Sequence, residues 1–122
     1  VLDDDSAVIN LDSRFSGAGS NPEELIAAAH AACFSMALSN ILASGGHTPK
    51  EVQTTATVTL HKGDSGFKIT KVYLDTAGVV PGIDEATFKA AAEKAKTTCP
   101  VSVLLIPGLE EISLDATLVP ES

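Results

Sequence analysis

The hydrophobic and polar positions along the chain first reveal one long apolar segment. Residues 22–44 are apolar at most positions, begin at Asn21-Pro22 and end before Gly45. An Asn side chain accepts backbone N–H bonds at a helix N-cap, Pro fits the first helical position, and Gly favours helix termination. The pattern therefore predicts a helix that is apolar on nearly all sides and belongs at the centre of a fold.

Alternation of apolar and polar residues predicts the strands. Residues 51–61 and 67–80 alternate on either side of a glycine-containing turn, which indicates a β-hairpin. The apolar phase slips within the second segment, so a β-bulge is expected near Thr70 or Lys71. Two shorter segments also alternate and are predicted strands, at residues 7–11 and 112–118.

Two further helices are predicted between the hairpin and the last strand. Asp84 is the expected N-cap of a helix over residues 85–98, and Pro100 starts a short helix that ends near Leu105. Strands and helices do not alternate strictly along the chain. We therefore expect an α+β fold in which an antiparallel sheet packs on the long central buried helix.

Composition and charge limit the partners and the number of domains. The 122 residues are 44% hydrophobic and 20% charged, which predicts a single domain over residues 1–122. A net charge of −8 disfavours nucleic acids and anionic membrane surfaces as partners. Histidine, serine and asparagine make the long helix too polar for a membrane span. No secretory signal is recognisable, so a cytoplasmic location is expected.

The residues with redox or nucleophilic potential are the two cysteines. Cys33 lies in the middle of the apolar helix, where burial raises the pKa of a thiol, so it also fits a small core residue. Cys99 precedes Pro100 at a helix start, and local setting alone makes it the better nucleophile. His30 shares a helix face with Cys33, which is compatible with a Cys–His pair or with a hydrogen-bonded core histidine.

Metal binding is not expected from the histidines and cysteines. A zinc site needs three or four ligands at recognisable spacings. The candidates show no such spacing: His30, Cys33, His47, His61 and Cys99.

Two segments carry a family resemblance. Residues 21–38 (NPEELIAAAHAACFSMAL) and 96–102 (KTTCPVS) closely resemble the osmotically inducible protein C branch of the OsmC/Ohr peroxidases. The resemblance extends over nearly the whole chain and includes an arginine, Arg14, shortly before the first helix. The family's initial N-terminal strand is expected to be missing. The resemblance implies an OsmC-like intertwined homodimer with active sites at the subunit interface.

The resemblance also assigns roles to four residues. It implies that Cys33 is the peroxidatic thiolate, Cys99 the resolving thiol, Arg14 the cation that holds the thiolate, and Glu23 the partner of Arg14. This order reverses the local preference for Cys99, because a guanidinium in a low-dielectric pocket can outweigh the effect of burial.

The activity implied by the resemblance is reduction of organic hydroperoxides to alcohols, with hydrogen peroxide as a further candidate substrate that would give water. It runs through a Cys33 sulfenic acid and a Cys33–Cys99 disulfide, which an external dithiol such as a lipoyl protein reduces without any cofactor. Pocket candidates are aliphatic and aromatic: Ile26, Met36, Leu104, Leu105, Ile106, Phe15 and Phe34.

Glu23 and Cys33 lie far apart along the same predicted helix. Glu23 and Cys33 are ten positions apart, which is ~15 Å along a helix. We therefore hypothesise that Arg14 and Glu23 of one subunit reach Cys33 of another. One alternative is a non-catalytic, stress-related binding or structural dimer, and the other is a thiol hydrolase or transferase that uses Cys33 with His30.

Overall fold

The computed structural model describes residues 22–64 and 66–120, which form an α+β fold. The elements in chain order are helix α1 (Pro22–Ser44), strands β1 (Glu51–Gly63) and β2 (Gly66–Val79), helices α2 (Glu85–Thr98) and α3 (Pro100–Leu105), a 3-10 turn (Ile106–Gly108) and strand β3 (Glu111–Leu118). The predicted helices, hairpin and last strand are confirmed. The predicted strand at residues 7–11, Arg14, Phe15 and the N-cap Asn21 lie outside the described residues.

The sheet is mixed, which corrects the expectation of an antiparallel sheet. The strand order is β1-β2-β3, and β1 pairs with β2 in the predicted antiparallel hairpin. Strand β3, however, runs parallel to β2. A parallel pair needs a long crossover connection. Here the connection from the end of β2 to the start of β3 contains α2 and α3. Alternation in the last segment predicted a strand but held no information on its direction.

A β-bulge lies where the hydrophobic phase predicted it. Thr59 pairs with Lys71 and Leu60 pairs with Ile69, so Thr70 is the extra residue of β2. The Thr70 carbonyl accepts a hydrogen bond from the backbone N–H of Glu110 at 2.8 Å, just before β3 begins. The bulge therefore helps to attach the third strand.

The hydrophobic core lies between one face of the sheet and the helices α1 and α2. Its fully or nearly fully buried apolar side chains come from all three elements: Phe34, Leu38, Leu42, Val72, Leu74, Phe88, Ala92 and Ala95. Helix α2 approaches β2 closely at Gly78, where an added Cβ would lie 2.6 Å from Cε1 of Phe88. Any larger residue at Gly78 would therefore displace the Phe88 ring.

In the single chain, the predicted central helix α1 is buried along one stripe. The buried positions recur every four residues, at His30, Phe34, Leu38 and Leu42. Met36, on another face, is 73% exposed. By length and composition α1 could cross a membrane, and its buried stripe packs against β1, α2 and α3.

Candidate thiol site

The two cysteines meet where the middle of α1 packs against the start of α3. Cys33 is partly exposed, whereas Cys99 is only 1% exposed. Both are free thiols, and Cys99 is the neighbouring side chain that raises the pKa of Cys33. The fold thus makes neighbours of two thiols whose separation of 66 positions gave no sign of contact.

Cys99 is held by the backbone on both sides because it joins two helices. Its own N–H donates to the carbonyl of Ala95 at 3.0 Å and so caps the end of α2. It is also the N-cap of α3, and its Sγ accepts a hydrogen bond from the N–H of Ser102 at 3.4 Å. Pro100 at the first position of α3 favours this change of helix direction. These caps fix the direction in which the Cys99 thiol points.

The environment of Cys33 disfavours its thiolate in the described part of the chain. Burial is the largest cause that raises the pKa of Cys33, and the neighbouring Cys99 raises it further. A backbone hydrogen bond from Val101 acts in the opposite direction. No cation among the described residues contributes to lowering this pKa. Arg14, the only arginine of the chain, lies outside the described residues, and its role stays a prediction.

Glu23 is not brought to Cys33 within one chain. It lies in the first turn of α1 and is partly exposed. Since both residues belong to this one helix, the ten positions between them correspond to ~15 Å along its axis. The role of Glu23 beside Arg14 also stays a prediction.

Two buried polar residues behind Cys99 extend the site beyond the sequence-based assignment. Ser102 Oγ lies 3.1 Å from Cys99 Sγ and 2.7 Å from His30 Nε2. Burial lowers the pKa of His30. The sequence left His30 open between a pair with Cys33 and a hydrogen-bonded core histidine; the structure shows a buried histidine bonded to Ser102, which in turn contacts Cys99. A sequence signal for Ser102 existed, since it lies three positions after the N-cap of α3, where cap contacts form.

The expected apolar pocket is not enclosed by the described residues of a single chain. Phe34 was a candidate wall residue, but it is fully buried in the core, so that assignment is wrong. Met36 and Leu104 are 73% and 75% exposed. An open groove between α1 and β1 is lined mainly by small residues and includes neither cysteine. The apolar side chains near the thiols therefore form an open surface.

The described residues offer sulfur and proton-transfer chemistry at this site. Within the ranges 22–64 and 66–120, no three His, Cys, Asp or Glu side chains are grouped so that they could hold a metal ion. His30 and Cys99 are instead joined by hydrogen bonds through Ser102.

Comparison with known proteins identifies proteins that are similar to this chain. A family model described as "OsmC-like protein" matches residues 15–112. The "Peroxiredoxin OsmC" of Escherichia coli (strain K12) is 52% identical over 120 residues, which cover 93% of this chain and 82% of that protein. An "Organic hydroperoxide resistance protein" of Xanthomonas axonopodis pv. citri is 36% identical over 87 residues, which cover 70% and 59% of the two chains. The crystal structure of the organic hydroperoxide resistance protein OhrB of Bacillus subtilis matches with a TM-score of 0.71 at 27% identity, over 85% of this chain and 75% of that one.

Proposed function

Because the chain belongs to the OsmC-like protein family, we propose that it is a thiol peroxidase that reduces organic hydroperoxides to alcohols. Relatives named as a peroxiredoxin and as organic hydroperoxide resistance proteins support this activity. The observation that carries the proposal is the contact between the partly exposed Cys33 thiol and the buried Cys99 thiol. This contact provides a sulfur to be oxidised and a second sulfur to resolve the product.

The proposed cycle has three steps. The Cys33 thiolate attacks one peroxide oxygen, the O–O bond breaks, and the alcohol leaves with a proton while Cys33 becomes a sulfenic acid. Cys99 then attacks the Cys33 sulfur, and a disulfide and water form. An external dithiol, for which a dihydrolipoyl group on a protein is the candidate, reduces the disulfide in the cytoplasm.

The first step requires a cation near Cys33. Burial raises the pKa of this thiol, so a neutral solution would leave it protonated without a compensating charge. Arg14 is the proposed source of that charge, because a guanidinium stays protonated and donates to a thiolate in a fixed geometry. Glu23 is the proposed partner that orients Arg14.

The proposed active unit is a homodimer with shared sites. The open face of α1 carries Cys33 and the exposed Met36, and an antiparallel α1 of a second subunit would cover it. In that arrangement the first turn of one helix, with Glu23 and the preceding Arg14, lies beside Cys33 of the other. The ~15 Å between Glu23 and Cys33 of one helix is then no obstacle.

Subunit complementation tests the shared site. Cys33→Ser subunits keep Arg14, and Arg14→Ala subunits keep Cys33, so each homodimer alone should be inactive or nearly so. After mixing and exchange, half of the dimers would hold one intact site of two, and we expect about one quarter of the wild-type activity. No recovery despite proven subunit exchange, or full activity of a monomer in sedimentation experiments, would contradict the shared-site arrangement.

Stopped-flow consumption of an alkyl hydroperoxide in the presence of dihydrolipoamide tests the activity itself. The wild type should consume the alkyl hydroperoxide faster than hydrogen peroxide, because the surface around the thiols is apolar. A matched control is Ser35→Ala, since the Ser35 hydroxyl lies on α1 but donates to Thr54 at 2.7 Å, towards β1. Peroxide consumption that persists in Cys33→Ser would refute the proposal. Steady turnover of a thioester by Cys99→Ser would instead favour a hydrolase.

A further inference from the structure

His30, Ser102 and Cys99 form a buried hydrogen-bonded row that the peroxide-reducing step does not use. His30 and Ser102 are each 0% exposed and Cys99 is 1% exposed. Cys99 Sγ lies 3.1 Å from Ser102 Oγ, and His30 Nε2 lies 2.7 Å from the same oxygen. The row therefore connects a thiol to a base, with one hydroxyl between them.

The resolving step requires that Cys99 lose its thiol proton. A thiol must lose its proton to attack a sulfenic acid, because the thiolate is the nucleophile. Cys99 is shielded from bulk water, so its proton cannot pass directly to solvent. The Ser102 hydroxyl can accept a proton on one side while it releases its own on the other.

The imidazole of His30 suits the end of this row. Its Nδ1 is buried and has no hydrogen-bond partner within the described part of the chain. No contact there fixes the tautomer, so Nε2 can accept a proton from Ser102 as well as donate one. Buried polar atoms usually have partners, so an unpartnered nitrogen needs an explanation, and proton transfer is one that fits this site.

We propose that Ser102 and His30 are positioning residues that relay the proton of Cys99 during disulfide formation, an inference that rests on the proposed peroxidase function. The Cys99 proton passes to Ser102 Oγ, and the Ser102 proton passes to His30 Nε2. The Cys99 sulfur forms a bond to the Cys33 sulfur, and the S–O bond of the sulfenic acid breaks. The oxygen leaves as hydroxide and takes a proton from solvent at the partly exposed Cys33 to become water. His30 keeps the Cys99 proton until the external dithiol reduces the disulfide, when Cys99 leaves as a thiolate and takes the proton back through Ser102. Cys99 is oxidised and the sulfenic sulfur is reduced to the disulfide level.

The groups around His30 are compatible with a neutral base at neutral pH. Burial lowers the pKa of His30 from its usual value of 6.5. Its titratable neighbours are Cys33 on the same helix and Cys99 across Ser102. The charged side chains on β1, β2 and α2, the other described elements packed against α1, are exposed except for Lys96. Lys96 is partly covered and pairs with Glu93 at 3.0 Å.

The test measures disulfide formation in a single turnover as a function of pH. Reduced protein is mixed with one equivalent of an alkyl hydroperoxide, without dithiol, between about pH 5 and about pH 9, and is quenched by a thiol-alkylating agent in acid. Mass spectrometry then follows the sulfenic acid and the disulfide separately. The wild-type rate of disulfide formation should be constant near neutral pH and should fall in acid as His30 becomes protonated.

Two variants interrupt the relay, and a third serves as the control. Ser102→Ala and His30→Gln should slow disulfide formation by roughly tenfold to a hundredfold at neutral pH and leave Cys33 oxidation unchanged. Their rates should rise steadily with pH as hydroxide replaces the relay. Thr76→Val removes another fully buried hydroxyl, which donates to the Gln53 carbonyl at 3.2 Å, and should leave disulfide formation unchanged.

The outcomes separate the relay from the underlying function. Slowing by Ser102→Ala and His30→Gln that is no greater than that by Thr76→Val, or an unchanged pH profile, would overturn the relay. If both variants fail to fold, a wild-type rate of disulfide formation that does not fall in acid would overturn it as well. Failure of the wild type to form a Cys33 sulfenic acid would overturn the proposed function instead.

Discussion

The Cys33 side of the thiol site and the Cys99 side differ in how much of their chemistry the described chain supplies. Cys99 is buried and is fixed by two helix caps. It is hydrogen-bonded to Ser102, which contacts His30. Cys33 is partly exposed, and burial raises its pKa without any compensating cation from the described residues. The proposed resolving side is thus built from described residues, whereas the cation proposed for the peroxidatic side, Arg14, lies outside them.

The same contrast divides helix α1. The stripe with His30 and Phe34 is closed by the sheet, α2 and α3, while the face with Cys33 and Met36 stays open. The residues proposed to serve disulfide formation therefore lie on the side that the fold of one subunit closes. Cys33, the proposed peroxidatic residue, lies on the face where a second subunit is proposed to bind. Four substitutions, compared by their effect on the first turnover with an alkyl hydroperoxide, test this division.

Cys33→Ser should have the largest effect, because a serine hydroxyl is neither ionised near neutral pH nor able to form a sulfenic acid. We expect peroxide consumption in the first turnover to fall to the rate of a protein-free control. Stopped-flow measurement with reduced protein decides this, and circular dichroism verifies that the fold is intact. Residual burst consumption equal to that of the wild type would place the peroxidatic sulfur elsewhere.

Arg14→Ala should have the second-largest effect. Loss of a neighbouring cation raises the pKa of a thiol by 1 to 3 units, so the thiolate fraction and the first-turnover rate should fall between about tenfold and about a thousandfold at neutral pH. The rate should recover at alkaline pH, because hydroxide then ionises the thiol. Arg14→Lys keeps the charge and should restore part of the rate. An unchanged pH–rate profile in Arg14→Ala would exclude the arginine from this role.

Glu23→Gln should have a smaller effect than Arg14→Ala, since Glu23 acts only by orienting Arg14. Loss of one charge-assisted hydrogen bond, roughly 1.5 kcal/mol, corresponds to a rate reduction of about tenfold. Glu24→Gln, the neighbouring first-turn acid, is the matched control. In the Arg14→Ala background Glu23→Gln should have no further effect, and additive losses would argue against coupling of the two residues.

Cys99→Ser should have the smallest effect on the first turnover. Cys99 is one of the causes that raise the pKa of Cys33, so its loss should leave Cys33 oxidation unchanged or slightly faster. The sulfenic acid should then persist, because no second thiol condenses with it. Dimedone labelling of Cys33 followed by mass spectrometry measures its lifetime. A large loss of first-turnover rate would show that the two sides of the site are not separable.

Local signals predicted much of this fold. Apolar periodicity and cap residues gave the bounds of α1, and the phase slip correctly indicated the bulge at Thr70. The direction of β3 depends on the crossover through α2 and α3, which alternation does not encode. Phe34 was misassigned to a pocket because a helix that is apolar all round does not reveal which stripe the sheet covers.

The site was predictable only in part, for a related reason. The resemblance singled out Cys33 and Cys99, but nothing in their spacing indicated contact, which arises when α3 packs on α1. The bond between His30 and Ser102 spans 72 positions and lies beyond any helix or strand periodicity. The helix spacing was compatible with a pair of His30 and Cys33 or with a hydrogen-bonded core histidine, and did not indicate Ser102 as the partner.

The most direct test of the central claim is the covalent state of the two sulfurs after one equivalent of an alkyl hydroperoxide. Intact-mass analysis and peptide mapping should show a loss of about 2 Da and a peptide pair joined through Cys33 and Cys99 within one chain. Complete peroxide consumption with both thiols still free, or a disulfide that joins Cys33 of two different chains, would contradict the account.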